Sequence, residues 1–218
     1  MKHILVNLNV RQALDGTLIK KLTAYVLLVV MATSFSGALT TQAYAPTGST
    51  SAEPLVILNA EQVEVLRDFA EDLNLLAQQK GEVLWLARVI YSESKRPHEQ
   101  ALVAWVVRNR TENKFYSDGT YEGTALARSQ FSGMHPRLDR HATRNLSMNY
   151  QTVGDPAWES AMRIAEEVYY SDGSNRPFDG DVQHFYSPIV IAPPAWAYHG
   201  EKVYETEGRR FAFYRGIN

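Results

Sequence analysis

A long apolar run that ends in one carboxyl group constrains this chain more than any other feature. Residues 82–92 are apolar nearly all the way round when they are drawn as a helix, and Glu93 stands at the end of the run. A helix without a polar face belongs in a protein core. Burial disfavours the charged form of a carboxyl group and raises its pKa, as a general acid near neutral pH requires. The alternative is that Glu93 is only the first solvated residue after a buried helix.

The composition excludes several functional classes. The chain has 218 residues, of which 45% are hydrophobic and 21% charged, and this predicts one globular domain with a full core. The net charge of -2 gives no reason to expect nucleic acid as a partner. The sequence contains no cysteine, which excludes disulfides, thiol nucleophiles and cysteine-ligated zinc. We expect no metal and no other cofactor.

Residues 1–45 have the pattern of an export signal or a membrane anchor. Two lysines precede an apolar run, residues 22–39, and the small residues after it fit cleavage after Ala38 or Ala45. The run is also close to the ~20 residues that span a bilayer. We therefore expect a periplasmic or extracellular protein that contacts a membrane only through this segment, and that stays anchored if the leader is not cleaved.

The rest of the sequence predicts a polar linker, residues 46–58, and an α+β domain, residues 59–218. Helices dominate the domain, and two short strands near its carboxyl end suit an antiparallel pair. A capping-box pattern at Asn59 begins an amphipathic helix that is predicted to end before Gly81. The other predicted elements are helices over 82–93, 97–110 and 156–172, a long polar loop over 111–155, and strands over 182–186 and 210–214.

Four patches combine aromatic and polar side chains, which is the material of carbohydrate-binding sites. Sugar rings stack on aromatic faces, while sugar hydroxyls need amide, hydroxyl and imidazole partners. Aromatic side chains in such patches also suit a core, and a single histidine on a strand suits a structural role. The patches are residues 91–94, 129–132, 184–188 and 193–196.

The order of these patches resembles that of the cell wall hydrolases of the SleB type, the spore-cortex lytic enzymes and their non-spore relatives. The resemblance covers roughly residues 84–218. It departs from the family at residues 94–97, where many relatives have Ala-Arg-Gly-Glu, and in the long segment between Asn109 and Gln130. The matching segments are residues 86–93, 106–110 and 130–132, Trp158 with Ala161 and Ala165, and residues 184–188 and 194–196.

The resemblance implies a mainly helical, lysozyme-like domain with a small antiparallel sheet near the C-terminus, acting on the glycan strands of peptidoglycan. It implies that Glu93 is the catalytic acid and that a groove beside it binds the glycan. No protein partner is identified. The expected substrate-binding residues are Tyr91, Ser94, Gln130, Phe131, Ser132, His184, Tyr186 and Trp196.

The number of available carboxyl groups favours one type of cleavage over another. Most glycosidases need two carboxyl groups, one as acid and one as nucleophile or base. Asp118, Asp139, Asp155 and Asp179 all stand in turn-forming contexts, and Asp155 suits a helix cap. A lytic transglycosylase needs only one, because the 6-hydroxyl of muramic acid attacks its own anomeric carbon. We therefore expect products with 1,6-anhydromuramic ends.

Two other classes of protein remain open at this stage. The first is a zinc-dependent cell wall amidase or peptidase, suggested by six histidines and the His98-Glu99 pair, although none of the histidines has helical ligand spacing. The second is a non-catalytic glycan-binding protein that uses the same aromatic residues without turnover.

Overall fold

A computed structural model describes residues 60–128 and 130–217. The predicted leader, the predicted linker, the capping residue Asn59 and Ser129 lie outside the described residues. Contacts divide the chain between Ala70 and Glu71, so all elements below except the first turns of the first helix belong to the second unit. No helix in the described ranges combines the length and apolar character needed to cross a bilayer.

The described residues form a mainly helical fold with a small antiparallel sheet near the carboxyl end, as predicted, and the sheet has three strands instead of the predicted two. Strand β3 lies between β1 and β2. Short 3-10 helices occur at Ser132–Met134, Ala195–Tyr198 and Glu207–Arg209. The helices are α1 (Ala60–Glu93), α2 (Pro97–Glu112), α3 (Tyr121–Leu126), α4 (Ala142–Ser147) and α5 (Pro156–Tyr170), and the strands are β1 (His184–Tyr186), β2 (Glu201–Glu205) and β3 (Ala212–Arg215).

Helix α1 passes through Gly81, so the prediction that a first helix ends before this residue was wrong. A glycine inside a helix costs only about 1 kcal/mol relative to alanine, and no proline follows it in α1. Beyond Gly81 the helix enters the core, where Val83, Leu86 and Ile90 are buried. Their burial outweighs the weak helix propensity of one glycine.

The segment predicted as one long loop contains two short helices, α3 and α4, and a 3-10 helix. The Thr120 side chain caps α3 by accepting a hydrogen bond from the Gly123 N–H at 2.9 Å. The Tyr121 N–H donates to the Glu82 carboxylate at 2.7 Å, which ties α3 to α1. Such short helices depend on contacts with the rest of the fold, so their polar sequence alone did not reveal them.

The structure confirms two predicted helix starts. Pro97 is the first residue of α2. The Asp155 side chain caps α5 by accepting hydrogen bonds from the N–H groups of Ala157 and Trp158, both at 3.1 Å. Strand β1 pairs antiparallel with β3 as predicted, whereas β2 was missed because its exposed, charged sequence is that of an edge strand.

Candidate active site

Glu93 is the last residue of α1, and its carboxyl group is partly buried where this helix meets the core. Burial raises the pKa of Glu93 to about 7. The positive charges of Arg110 and Lys95 act in the opposite direction, and the negative charge of Asp139 raises the pKa further. A carboxyl group with this pKa is present in both protonation states at neutral pH.

Buried polar side chains hold the turn that follows Glu93. The Ser94 hydroxyl donates to Glu99 Oε2 at 2.6 Å, and Gln100 Nε2 donates to the Ser94 carbonyl at 2.9 Å. Arg210 Nε donates to the other Glu99 oxygen at 2.8 Å. The end of α1 is therefore fixed from both α2 and the carboxyl-terminal segment.

Arg110 brings a buried positive charge to the site. Its Nε donates to the Gln183 carbonyl at 2.6 Å, and its guanidinium carbon lies 4.8 Å from the centre of the Phe131 ring. The Phe115 and Phe185 rings lie 5.7 and 5.8 Å from the same carbon. The residue is only 5% exposed, and its Nη1 has no hydrogen-bond partner. Burial lowers the pKa of Arg110 to about 10, and the charge of Glu93 raises it.

Asn109, the neighbour of Arg110, fixes the segment that leads into β1. Its side-chain amide donates to the carbonyl groups of Asp179 at 3.0 Å and Val182 at 2.9 Å. Its side-chain oxygen accepts a hydrogen bond from Arg176 Nη1 at 2.7 Å. Asn109 and Arg110 together therefore attach the end of α2 to the residues just before His184.

An aromatic cluster continues from Arg110 along the sheet. The His184 ring lies 5.1 Å from Phe115 and 5.1 Å from Trp196, measured between ring centres. Trp196 also packs at 5.7 Å from Tyr186 and 5.4 Å from Tyr214. Burial and the charge of Arg110 lower the pKa of His184 to about 4, so this imidazole is neutral at pH 7.

The 3-10 helix at Ser132–Met134 lies beside the end of α1. A methyl group at Gly133 would lie 2.8 Å from Ser92 Cβ, so the two backbones approach closely. Asn145 Nδ2 donates to the Gly133 carbonyl at 2.8 Å and holds this approach. Gln130 and Ser132, which flank Phe131, retain exposed surface.

Three of the predicted substrate-binding residues are buried. Tyr91, Ser94 and Phe131 are 2%, 4% and 0% exposed, so their side chains belong to the packed interior instead of a ligand surface. The Tyr91 hydroxyl donates to Asp155 Oδ2 at 2.7 Å, and its ring packs edge-on against Trp158.

The other predicted residues divide by exposure. Tyr186 is also mostly buried, at 8% exposed. Gln130, Ser132, His184 and Trp196 keep the surface that a ligand contact requires. Phe131 contacts the Arg110 guanidinium directly, and His184 is connected to it through Phe115. Trp196 packs on His184, and Tyr186 packs on Trp196. The charge of Arg110 acts on Glu93.

Arg110 lies in one of the segments that carry the resemblance, residues 106–110, but the sequence predicted no role for it in the site. The available signal was a basic residue at the end of the apolar run of α2, two positions after another basic residue. Such a residue ordinarily lies on a solvated helix end. The Arg110 side chain instead points into the protein. This orientation depends on the Gln183 carbonyl and on Phe131, which are distant from Arg110 in the sequence.

The aspartates considered as a second carboxyl group occupy different settings. Asp139 is the one whose charge raises the pKa of Glu93, and its Oδ1 accepts from the His141 N–H at 2.6 Å. Asp155 is engaged as a helix cap, and Asp179 forms an exposed ion pair with Arg215. Asp118 accepts hydrogen bonds from Thr120.

No protein-family model, curated protein or solved structure matches this chain. The resemblance to the SleB type therefore stays a prediction. In the described ranges, no three histidine or carboxylate side chains are grouped so that they could hold a metal ion. Two surface depressions, one lined by residues 172–180 and one between Tyr150 and Glu166, do not include Glu93.

Proposed function

We propose that this protein cleaves the glycan strands of peptidoglycan as a lytic transglycosylase with a lysozyme-like catalytic domain. Glu93 is its single catalytic carboxyl group. The observation that carries the proposal is the position of Glu93 at the end of α1, where its partly buried carboxyl group meets the core and burial raises its pKa to about 7. A group with this pKa serves as an acid in one step and as a base in the next at neutral pH.

In the proposed reaction Glu93 gives up one proton and later takes up another. Protonated Glu93 donates its proton to the glycosidic oxygen while the bond from that oxygen to the anomeric carbon of muramic acid breaks, and the bonding electrons stay with the oxygen. The Glu93 carboxylate then takes the proton of the muramic acid 6-hydroxyl as its oxygen bonds to the anomeric carbon. Glu93 returns to its acid form, and the product carries a 1,6-anhydro ring.

Four partly or fully exposed side chains of the predicted site suit a sugar ligand. Trp196 and His184 retain exposed ring surface close to one another, and Gln130 and Ser132 add exposed polar groups. A neutral imidazole offers one hydrogen-bond donor and one acceptor, which matches a sugar hydroxyl. These four residues are the proposed glycan contacts.

The test is mass spectrometry of the soluble products that the full-length protein releases from purified sacculi, compared with those of Glu93→Gln. We expect 1,6-anhydromuramic ends from the wild type. The variant should keep its fold by circular dichroism and its binding to sacculi, while its turnover falls by at least ~10²-fold. Glu82→Gln changes a glutamate on the same helix and should leave turnover close to that of the wild type.

Each alternative has its own result. Reducing ends alone would indicate hydrolysis, with Asp139 as the first base to examine. Release of stem peptides that stops with a chelator and returns with zinc would indicate an amidase or peptidase. Binding without turnover would indicate a glycan-binding protein, and a folded, fully active Glu93→Gln would remove the basis of the proposal.

A further inference from the structure

Arg110 is a buried cation whose hydrogen bonds do not compensate for the burial of its charge. Its Nε donates to the Gln183 carbonyl, but Nη1 is buried without a partner. A buried charge is unfavourable unless another charge or hydrogen bonds compensate for it. The three phenylalanine rings around the guanidinium compensate only in part, because each cation–π contact contributes roughly 0.5–2 kcal/mol.

The compensating charge is that of Glu93. Arg110 lies on the Phe131 ring, and Gly133, two residues after Phe131, closely approaches Ser92, the neighbour of Glu93. The charges of Arg110 and Glu93 therefore interact.

Lys95, from the turn after α1, and Asp139, from the segment before α4, are the other charged groups that act on Glu93. His184 on β1 is the titratable group that faces Arg110 from the sheet. The charge of the same buried cation therefore acts on both Glu93 and His184.

We propose that Arg110 is a positioning residue for Glu93: its guanidinium, held in place by the Gln183 carbonyl and three phenylalanine rings, stabilises the carboxylate left after proton donation. This inference rests on the proposed function. Nη1 is too deeply buried to contact a glycan, so Arg110 acts through Glu93. Without this cation, Glu93 would hold its proton more tightly and would be a poorer acid in the first step.

Two neutral replacements of different shape test the proposal in the full-length protein. Arg110→Gln retains an N–H donor that can reach the Gln183 carbonyl, and Arg110→Met retains apolar contact with the rings. Removal of a nearby cation should raise the pKa of Glu93 by about one unit or more. It should also raise the pKa of His184, because the same charge lowers it.

The readouts are the pH profile of turnover and the two pKa values, measured by NMR of the Glu93 carboxyl carbon and the His184 ring. We expect the high-pH limb of turnover to move upward and the maximal rate to fall roughly ten- to a hundredfold. A folded neutral variant in which neither pKa moves would overturn the proposal. If the protein cleaves no peptidoglycan, the proposed function fails, whereas the two pKa values still report on Arg110.

Arg108→Gln is the matched control. Arg108 lies on the same helix, stacks on Trp105 and donates to the carbonyl groups of Val168 and Ser171. Its loss should lower stability without moving the high-pH limb. If both neutral variants of Arg110 fail to fold, Arg110→Lys tests the proposal, because it keeps the positive charge. A high-pH limb of turnover at the wild-type position would support the role of this charge. A limb shifted by about one pH unit would contradict it.

Discussion

Gly133 lies so close to Ser92 that a methyl group at position 133 would stand 2.8 Å from Ser92 Cβ and 3.0 Å from its hydroxyl oxygen. Real Cβ atoms do not approach other atoms this closely, so Gly133→Ala must displace one of the two segments. Because Ser92 precedes Glu93, we expect a loss of turnover along with a fall in stability of roughly 1–3 kcal/mol. Turnover on sacculi and urea denaturation measure the two effects.

Gly81→Ala is the control for this prediction. A methyl group there meets no atom within 4 Å, and the residue lies inside α1. Alanine favours a helix by about 1 kcal/mol over glycine, so this variant should be at least as stable as the wild type. Similar losses in both variants would contradict the close approach at Gly133.

Asp139→Asn should change the pH range of activity. The negative charge of Asp139 raises the pKa of Glu93, so its removal should lower that pKa and move the high-pH limb of turnover downward. In the wild type, kcat/KM should fall roughly tenfold per pH unit above the Glu93 pKa of about 7, because in the proposed mechanism only the protonated form starts the reaction. A pH series of initial rates measures both limbs.

The same variant separates two mechanisms. If Glu93 acts alone, Asp139→Asn retains its maximal rate and only the limb moves. A fall in the maximal rate by ~10² or more, without a change in the fold, would make Asp139 a second catalytic carboxylate and would count against transglycosylation.

Glu93 should make stability depend on pH. Its folded pKa of about 7 exceeds its ordinary value of 4.5, so the folded state binds more protons than the unfolded state between these values. The stabilisation is complete below pH 4.5 and is lost as pH rises through 7, by at most about 3 kcal/mol. As pH rises from 5 to 8, the free energy of unfolding should therefore fall less for Glu93→Gln than for the wild type.

His184 acts in the opposite direction in part of this range. Its folded pKa of about 4 lies below its ordinary value of 6.5, so its contribution is present above pH 6.5 and is lost as pH falls toward 4. Between pH 4.5 and 6.5 the two groups change the free energy of unfolding of the wild type in opposite directions as pH varies. In Glu93→Gln, only the His184 contribution of the two should remain. Urea denaturation at several pH values measures this, and parallel curves for the two proteins would refute the shift in the Glu93 pKa.

Asn109→Ala should destabilise the fold by roughly 2–4 kcal/mol. The fully buried amide of Asn109 serves two carbonyl groups and Arg176, and all three lose a partner when it is removed. Asn113→Ala is the control, because this exposed side chain also bonds two carbonyl groups, those of Asn109 and Gly180. Thermal unfolding should show a much smaller loss for Asn113→Ala, and equal losses would contradict the role of Asn109.

The sequence predicted the features that depend on nearby residues. Pro97 and Asp155 mark helix starts because first-turn proline and side-chain capping are local chemistry. Burial near Glu93 followed from the apolar run before it. The inward orientation of Arg110 was not predictable, because the carbonyl group that accepts its hydrogen bond lies 73 residues further along the chain. Similarly, periodicity did not distinguish the buried Phe131 ring from the partly exposed Trp196 ring.

The hydrogen bond from Arg110 to Gln183 also bears on when the site forms. In an unfolded chain Glu93 is an ordinary carboxyl group, ionised at neutral pH and unable to donate a proton. Its altered pKa depends on a core that includes Phe131, and the cation beside it is held by residues just before β1. A chain still being synthesised, or cut before residue 183, lacks the carbonyl group that orients Arg110. The cation beside Glu93 therefore takes up its position only when the segment that contains Gln183 has packed against α2.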